Sequence, residues 1–516
     1  MKNPEVDLTS RRSFVKTLGA WGLVTLPYLS LGQAFERPRQ GFVPAYGPNA
    51  QKRISYLAHR ETNIEGQWSH SHIEGQIPAN LKGTLFRNGP GSKSVGARPL
   101  NHFFDGDAYI TAFQFSEEKL SIRSQFVNTV ERQQEQNARK MLYHDFGTTA
   151  PQWPSRGFKN PPNINITAFD GMLLALSEAS HPTALDLESL QTKYSYSFGG
   201  SLPGNLGFTA HPKTDPTTQD LYAFGVTRAM FPELKIYRMN YHDKKNSEIH
   251  SFNLGGFFPI HDCLMTENHI VFVVSPMQVN MLKAATLMYP VADILEYDAN
   301  KALRILIFSK HSREAPIVIE SQPSALVFHH INAYEEAGKI IFDTILIDDA
   351  SPYQIFKAWA QEQVPKAPKT WITRFEVNLK TKTMMSRKKL SDGRGIEFPC
   401  IDLRRLGQKL KYFYVLESDM DTSDPLSFSM LSSWDSKNSK PIGRAFADAG
   451  QSFGEAVCAP KLQSSSEEEN WILHLGYDSK RDESFLDIRK SVSLELEARV
   501  WLGRHLPLGF HGIFVS

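Results

Sequence analysis

From about residue 75 onward the chain is punctuated like a sheet protein, and that rhythm limits its fold more than any other feature. Short β-runs recur between Gly, Asn and Asp residues. Examples are Gly83-Thr84-Leu85-Phe86-Arg87, Tyr109-Ile110-Thr111-Ala112-Phe113, Met172-Leu173-Leu174-Ala175-Leu176, His269-Ile270-Val271-Phe272-Val273-Val274 and Lys339-Ile340-Ile341-Phe342-Asp343. Alternation with β-branched and aromatic enrichment marks strands, and the turn residues mark the breaks. Helical periodicity is confined to 130–140, 278–295 and 353–363, each lying between strand groups like an insertion. Many strands without α/β alternation call for an all-β fold, either paired sandwiches or a propeller. No repeat of fixed signature is visible, which excludes WD40 and kelch arrays. The 516 residues, 41% of them hydrophobic, supply a large core. They also suffice for seven blades of roughly 60–70 residues each.

Charge and cysteine usage narrow the function classes. Lys+Arg number 57 against 55 Asp+Glu, so the chain lacks the basic footprint of a nucleic-acid binder. Cys263, Cys400 and Cys458 are widely spaced and odd in number. They cannot form a zinc ribbon or a disulfide framework, and they read as buried free thiols.

The N-terminus has the grammar of export. Ser10-Arg11-Arg12-Ser13-Phe14-Val15-Lys16 precedes an apolar run from Thr17 to Leu31, which exits through Gly32-Gln33-Ala34. A basic head, an apolar middle and a small-residue exit make a signal peptide. The paired arginines resemble the bacterial twin-arginine signal. Pro27 and the short length speak against a membrane-spanning helix. The expected organisation is a twin-arginine signal peptide over 1–34, a single domain over 35–516, and a periplasmic location. Without residues 1–34 the chain holds 53 charges of each sign.

Four of the 17 histidines sit beside β-runs: His211 in Thr209-Ala210-His211-Pro212, His261 in Pro259-Ile260-His261-Asp262, His329 in Val327-Phe328-His329-His330, and His511 in Gly509-Phe510-His511-Gly512. Their separations are 50, 68 and 182 residues, the first two near one blade length. A propeller brings the innermost strand of every blade to one axis, so histidines at equal height would converge there. Any one of them alone reads as structural. Four neutral imidazoles facing one point suit a borderline cation such as Fe(II), with positions left for O2.

A ligating imidazole needs an acceptor on its other nitrogen. Three carboxylates lie in apolar or small-residue settings, where an unpaired charge is costly. They are Glu178 in Leu176-Ser177-Glu178-Ala179, Glu397 in Gly395-Ile396-Glu397-Phe398-Pro399, and Glu455 in Phe453-Gly454-Glu455-Ala456-Val457. They read either as partners behind the histidines or as ordinary strand-edge glutamates. His72-Ile73-Glu74 matches the start of a facial-triad iron site only by three residues, and Gly89-Pro90-Gly91-Ser92-Lys93-Ser94 lacks the phosphate-loop spacing.

Across nearly all of 35–516 the chain resembles the carotenoid cleavage oxygenase family, which includes the retinal-pigment isomerase and the lignostilbene dioxygenases. The motifs are Leu81-Lys82-Gly83-Thr84-Leu85-Phe86-Arg87-Asn88-Gly89-Pro90, His102-Phe103-Phe104-Asp105-Gly106-Asp107, Phe208-Thr209-Ala210-His211-Pro212-Lys213, His261-Asp262, Phe328-His329-His330-Ile331-Asn332-Ala333-Tyr334-Glu335-Glu336 and Leu508-Gly509-Phe510-His511-Gly512. The resemblance implies a seven-bladed β-propeller capped by a dome of helices and loops, with one Fe(II) on its axis. By motif the iron ligands are His211, His261, His329 and His511, with His330 as a neighbour. Glu178, Glu397 and Glu455 take the places behind them. The implied reaction is cleavage of a C=C bond of a carotenoid or apocarotenoid with O2.

Two positions depart from the family pattern. Phe103-Phe104 stands where Trp-Phe is usual. Phe126-Val127-Asn128-Thr129 stands where stilbene-cleaving members tend to carry a tyrosine, which tilts the reading from a phenolic substrate toward a polyene. Cleavage of a stilbenoid alkene and a non-catalytic polyene-binding propeller are the alternatives. A polyene substrate implies peripheral membrane contact, for which Met281-Leu282-Lys283-Ala284-Ala285-Thr286-Leu287-Met288-Tyr289-Pro290 is the candidate patch.

Overall fold

The computed structural model describes residues 50–516, apart from 152–154, 160, 179, 205, 228–231, 257, 287, 362 and 419–423. The leader, residues 1–34, and Leu287 lie outside the described residues. Seven antiparallel sheets of four or five strands, with two small two-stranded ribbons, form a seven-bladed propeller. In blades 2 to 6 the first strand of each sheet is its inner edge, and in blade 7 the inner edge is the first of four consecutive strands. These inner strands are Asn165–Phe169, Lys213–Thr214, Leu264–Met265, His330–Glu336, Gly395–Cys400 and Gln451–Pro460.

The ring is closed by pairing between early and late strands of the described residues. The C-terminal strand His511–Val515 pairs with Gly83–Pro90 and becomes the inner strand of blade 1, with His511 opposite Asn88. The early strand His72–Gly75, second after Gly66–Trp68, pairs with Leu496–Trp501 and becomes the outer strand of blade 7. The His72-Ile73-Glu74 triplet is thus a structural edge, with Glu74 accepting from Trp501 Nε1 at 2.7 Å.

Each blade is packed on both faces, which explains why many strands read as continuous apolar runs. In Leu221–Val226 of blade 3, Leu221 and Ala223 face Leu174, Leu176 and Ala184 of blade 2. Tyr222 and Phe224 on the opposite face meet Ile270, Phe272 and Phe308 of blade 4. The same period-two division recurs in His269–Val274, whose Val271 and Val273 turn to Phe342 and Phe375 of blade 5.

The expected helix near 130–140 is Val130–Ala138, its N-terminus capped by Thr129 accepting from Arg132 N–H. The helix expected at 353–363 is Ser351–Ala358. The 278–295 segment differs. It holds two short helices, Met281–Thr286 and Val291–Ile294, inside a two-stranded ribbon of Met277–Val279 with Leu295–Tyr297. Pro290 cannot continue a helix and stands at the N-cap of the second one.

Candidate metal centre

Four inner strands deliver one histidine each. His211, His261 and His329 immediately precede or lie within three residues of the inner strands of blades 3, 4 and 5, and His511 opens that of blade 1. Gly89 and Gly509 allow the last of these. A Cβ on either would collide with the backbone of the other segment, and Gly509 has φ +69°. One nitrogen of each histidine lies within 4.8 Å of the others. Nε2 of His261 is 3.0 Å from that of His211 and 3.1 Å from that of His329, which is 3.1 Å from that of His511.

The opposite edge of three rings faces a carboxylate. His261 Nδ1 pairs with Glu178 Oε1. His329 Nδ1 lies 2.6 Å from Glu397 Oε2, and His511 Nδ1 lies 2.7 Å from Glu455 Oε1. An ionised carboxylate only accepts, so each Nδ1 carries the proton and each Nε2 presents a bare lone pair inward. Bare lone pairs at 3.1 Å, with no proton between them, repel. A cation at their centre turns that repulsion into ligation. Metal–nitrogen bonds of about 2.1 Å at right angles would set neighbouring nitrogens about 3.0 Å apart, which is the spacing of the three adjacent pairs. The donor set fits a first-row dication.

Charge agrees with that fit. The buried Arg87 guanidinium reaches Glu455 Oε2 at 2.5 Å and donates to the Leu508 and Phe510 carbonyls at 3.3 and 3.1 Å. With three carboxylates ionised and Arg87 charged, the surroundings of the four neutral rings carry two net negative charges. A divalent cation neutralises them.

His211 is held differently. Its Nδ1 faces the Asn165 carboxamide at 3.4 Å, and Asn165 Nδ2 also donates to the Ala210 carbonyl at 2.9 Å. Asn165 starts the inner strand of blade 2. All seven blades therefore contribute to the axis, through four histidines, Asn165, Glu397 and Glu455 on inner strands or their leading ends. Glu397 and Glu455 sit at register shifts in their strands, between Glu397 and Cys400 and between Phe453 and Ala456. A bulge re-aims a side chain that regular pleating would direct into the blade. Phe398 marks the first bulge with a left-handed φ of 53°.

The electrostatics follow from burial and mutual proximity. Burial, then the neighbouring His261, His511 and His329, keep the His211 imidazole well below the ordinary histidine range. Burial also lowers His511, against the pull of Glu455. For His329 burial is outweighed by Glu397, Asp262 and Glu455, and its pKa is raised. Burial pushes the Glu397 carboxyl upward, but the charge and hydrogen bond of His329 prevail and its pKa is lowered. His330 turns away from the axis, with Nδ1 2.7 Å from Thr344 Oγ1 and its backbone N–H donating to Asp262.

The centre lies under an aromatic roof. Phe398 has its ring 5.8 Å from His329 and 5.5 Å from His511, and Phe328 lies 5.9 Å from His261. Phe356 of the helix Ser351–Ala358 stacks over Phe103 and contacts Phe104 and Phe328. These rings make the surface beside the histidines largely apolar.

Sequence reading missed Asn165 and Arg87. The signals were present, a polar residue inside each of two apolar strand runs, but each reads as unremarkable without its distant partner. Cysteine spacing also misled. All three thiols are buried as expected, yet Cys400 and Cys458 are brought into contact, Sγ to Sγ 3.4 Å.

A family model described as retinal pigment epithelial membrane protein matches residues 58–516. The chain belongs to this family. Among curated relatives of this carotenoid cleavage oxygenase, apocarotenoid-15,15'-oxygenase of Synechocystis is 28% identical over 463 residues, covering 86% of this chain and 93% of that one. Isoeugenol monooxygenase of Pseudomonas putida is 26% identical over 471 residues, covering 88% and 96%. The crystal structure of cobalt-substituted Synechocystis apocarotenoid oxygenase superposes with a TM-score of 0.82 at 26% identity, covering 90% of this chain and 99% of that one.

Proposed function

We propose that this chain is a non-haem Fe(II) dioxygenase that cleaves a C=C bond of a carotenoid or apocarotenoid with O2 into two carbonyl products. The observation that carries the reading is the convergence of four imidazole nitrogens, three of them on rings backed by carboxylates. His211, His261, His329 and His511 would hold the iron. Bound there, Fe(II) supplies O2 activation beside the double bond, and one oxygen atom passes to each carbon.

The chain's own residues do the rest. Glu178, Glu397 and Glu455 fix ring orientation and supply negative charge at one remove. Phe328, Phe398 and Phe356 supply an apolar wall for a polyene and keep water away. No protein acid or base is required, because the balance of C=C plus O2 to two C=O moves no proton.

The second reading, cleavage of a phenylpropanoid or stilbenoid alkene, is favoured by the similarity to isoeugenol monooxygenase and to resveratrol cleavage oxygenase 1 of Aspergillus fumigatus, 26% identical over 481 residues. Against it stands the segment Phe126-Val127-Asn128-Thr129, which lacks the tyrosine that stilbene-cleaving members tend to carry there. Incubation of the iron-loaded protein with both substrate types under labelled O2, followed by product mass spectrometry, separates the two. Labelled aldehydes from apocarotenoids alone are expected. Turnover of stilbenoids alone would transfer the assignment, and turnover of neither would leave a polyene-binding propeller.

We place the protein in the periplasm, on the strength of its leader, and at a membrane surface. Support for the second point is the helix Met281–Thr286, where Leu282 is 84% and Met281 55% exposed. Leu282→Glu should lower activity on substrate delivered in vesicles and spare activity in detergent. Equal losses in both would remove the membrane role.

A further inference from the structure

Cys400 ends the inner strand of blade 6 and Cys458 lies within that of blade 7. Their sulfurs are 3.4 Å apart although 58 residues separate them in the chain. Both side chains are buried between the blades, among Tyr414, Leu416 and Ile472. Each cysteine stands three residues beyond the glutamate of its own strand, Glu397 and Glu455 respectively. Cys263 is elsewhere, in the core shared by blades 3 to 6.

We propose that Cys400 and Cys458 are an oxidation site, closing to a reversible disulfide that staples the inner strands of blades 6 and 7 behind the histidine centre. A disulfide bond of about 2.05 Å requires the sulfurs to approach by roughly 1.3 Å. The two strands that carry them are already packed against each other. The oxidant is a small disulfide such as oxidised glutathione. Its S–S bond breaks, the Cys400–Cys458 bond forms, and the two cysteine protons pass to the two thiolates released. Two electrons move from the protein thiols to the reagent. The hydrogen bond shared with Cys400, followed by burial, keeps the Cys458 thiol well above the usual cysteine range. The exchange is accordingly slow in the closed protein.

The staple is independent of which substrate the enzyme cleaves. The test uses the full chain after prolonged incubation with oxidised glutathione, then thiol titration in denaturant and peptide mapping without reductant. One titratable thiol, a linked Cys400–Cys458 peptide pair and a protein two hydrogens lighter are expected, all reversed by dithiothreitol. The thermal midpoint should rise by about 5 °C, and cobalt should be lost to a chelator several-fold more slowly than from the reduced protein. Three remaining thiols, stable glutathione adducts or a link to Cys263 would overturn the disulfide. Unchanged cobalt loss would overturn the staple's hold on the centre. Cys400→Ala should keep two thiols and show no rise in midpoint. Should it fail to fold, the wild-type peptide map decides.

Discussion

At the scale of single residues, the three histidine–glutamate pairs are chemically alike but mechanically different. Glu397 accepts from His329 and from the Phe398 backbone, and no cation side chain pairs with it among the described residues. Glu455 also carries Arg87, which is only 3% exposed. Neutralising each carboxylate therefore separates metal binding from stability. Glu397→Gln should weaken divalent-metal affinity by about 10–100-fold with little change in the apo melting temperature. Glu455→Gln should weaken metal binding similarly and also cost about 3 kcal/mol, because it strands a buried guanidinium. Chelator competition and urea unfolding of the apo proteins measure the two quantities separately. The histidines and glutamates were legible in the sequence because each sits inside a short motif with an unusual polar residue. Arg87 was not, since its partner lies 368 residues away and a lone arginine in a strand carries no label.

Between elements, the blades are joined by polar clasps as well as apolar faces. Glu335, on the inner strand of blade 5, reaches the turn of blade 4. Its Oε1 accepts from Thr266 Oγ1, Asn268 N–H and His269 Nδ1, and Oε2 accepts from Asn268 Nδ2. Burial raises this carboxyl, but the hydrogen bonds outweigh burial and hold its pKa down to about 2. The unfolded value is about 4.3, so between those limits the unfolded chain binds more protons than the folded one. The clasp's contribution is complete above the unfolded pKa and drains away as pH falls toward 2. Glu335→Gln should lower the urea midpoint at pH 6, and the gap to wild type should narrow steadily between pH 4.5 and 3. A gap that stays constant with acid would show that the clasp does not titrate. Strands were readable at this scale because period-two runs are short and local, as in Met172–Leu176, found with the same bounds. The 278–295 stretch was not, because its helical spacing spans a proline that splits it into two turns and a ribbon.

For the whole molecule, the sevenfold order is carried by sheet pairing and not by any repeated sequence, which is why no repeat could be read from the chain. Two-faced burial replaces the alternation that a one-sided sheet would show, and the blades share only their strand order. The strand His511–Val515 is at once the inner strand of blade 1, the partner of Gly83–Pro90 and the source of a histidine on the axis. These duties can be separated. His511→Ala removes only the imidazole, so the apo protein should melt within about 3 °C of wild type while losing the stabilisation that added divalent metal gives. Deletion of residues 511–516 also strips the hydrogen-bonding edge of Gly83–Pro90 and opens blade 1 at the axis. That protein should melt at least about 10 °C lower, with a broadened transition, whether or not metal is present. Calorimetry on both variants, each with and without cobalt, tests the division. Equal melting of the two apo proteins would mean that the ring closes without its C-terminal strand.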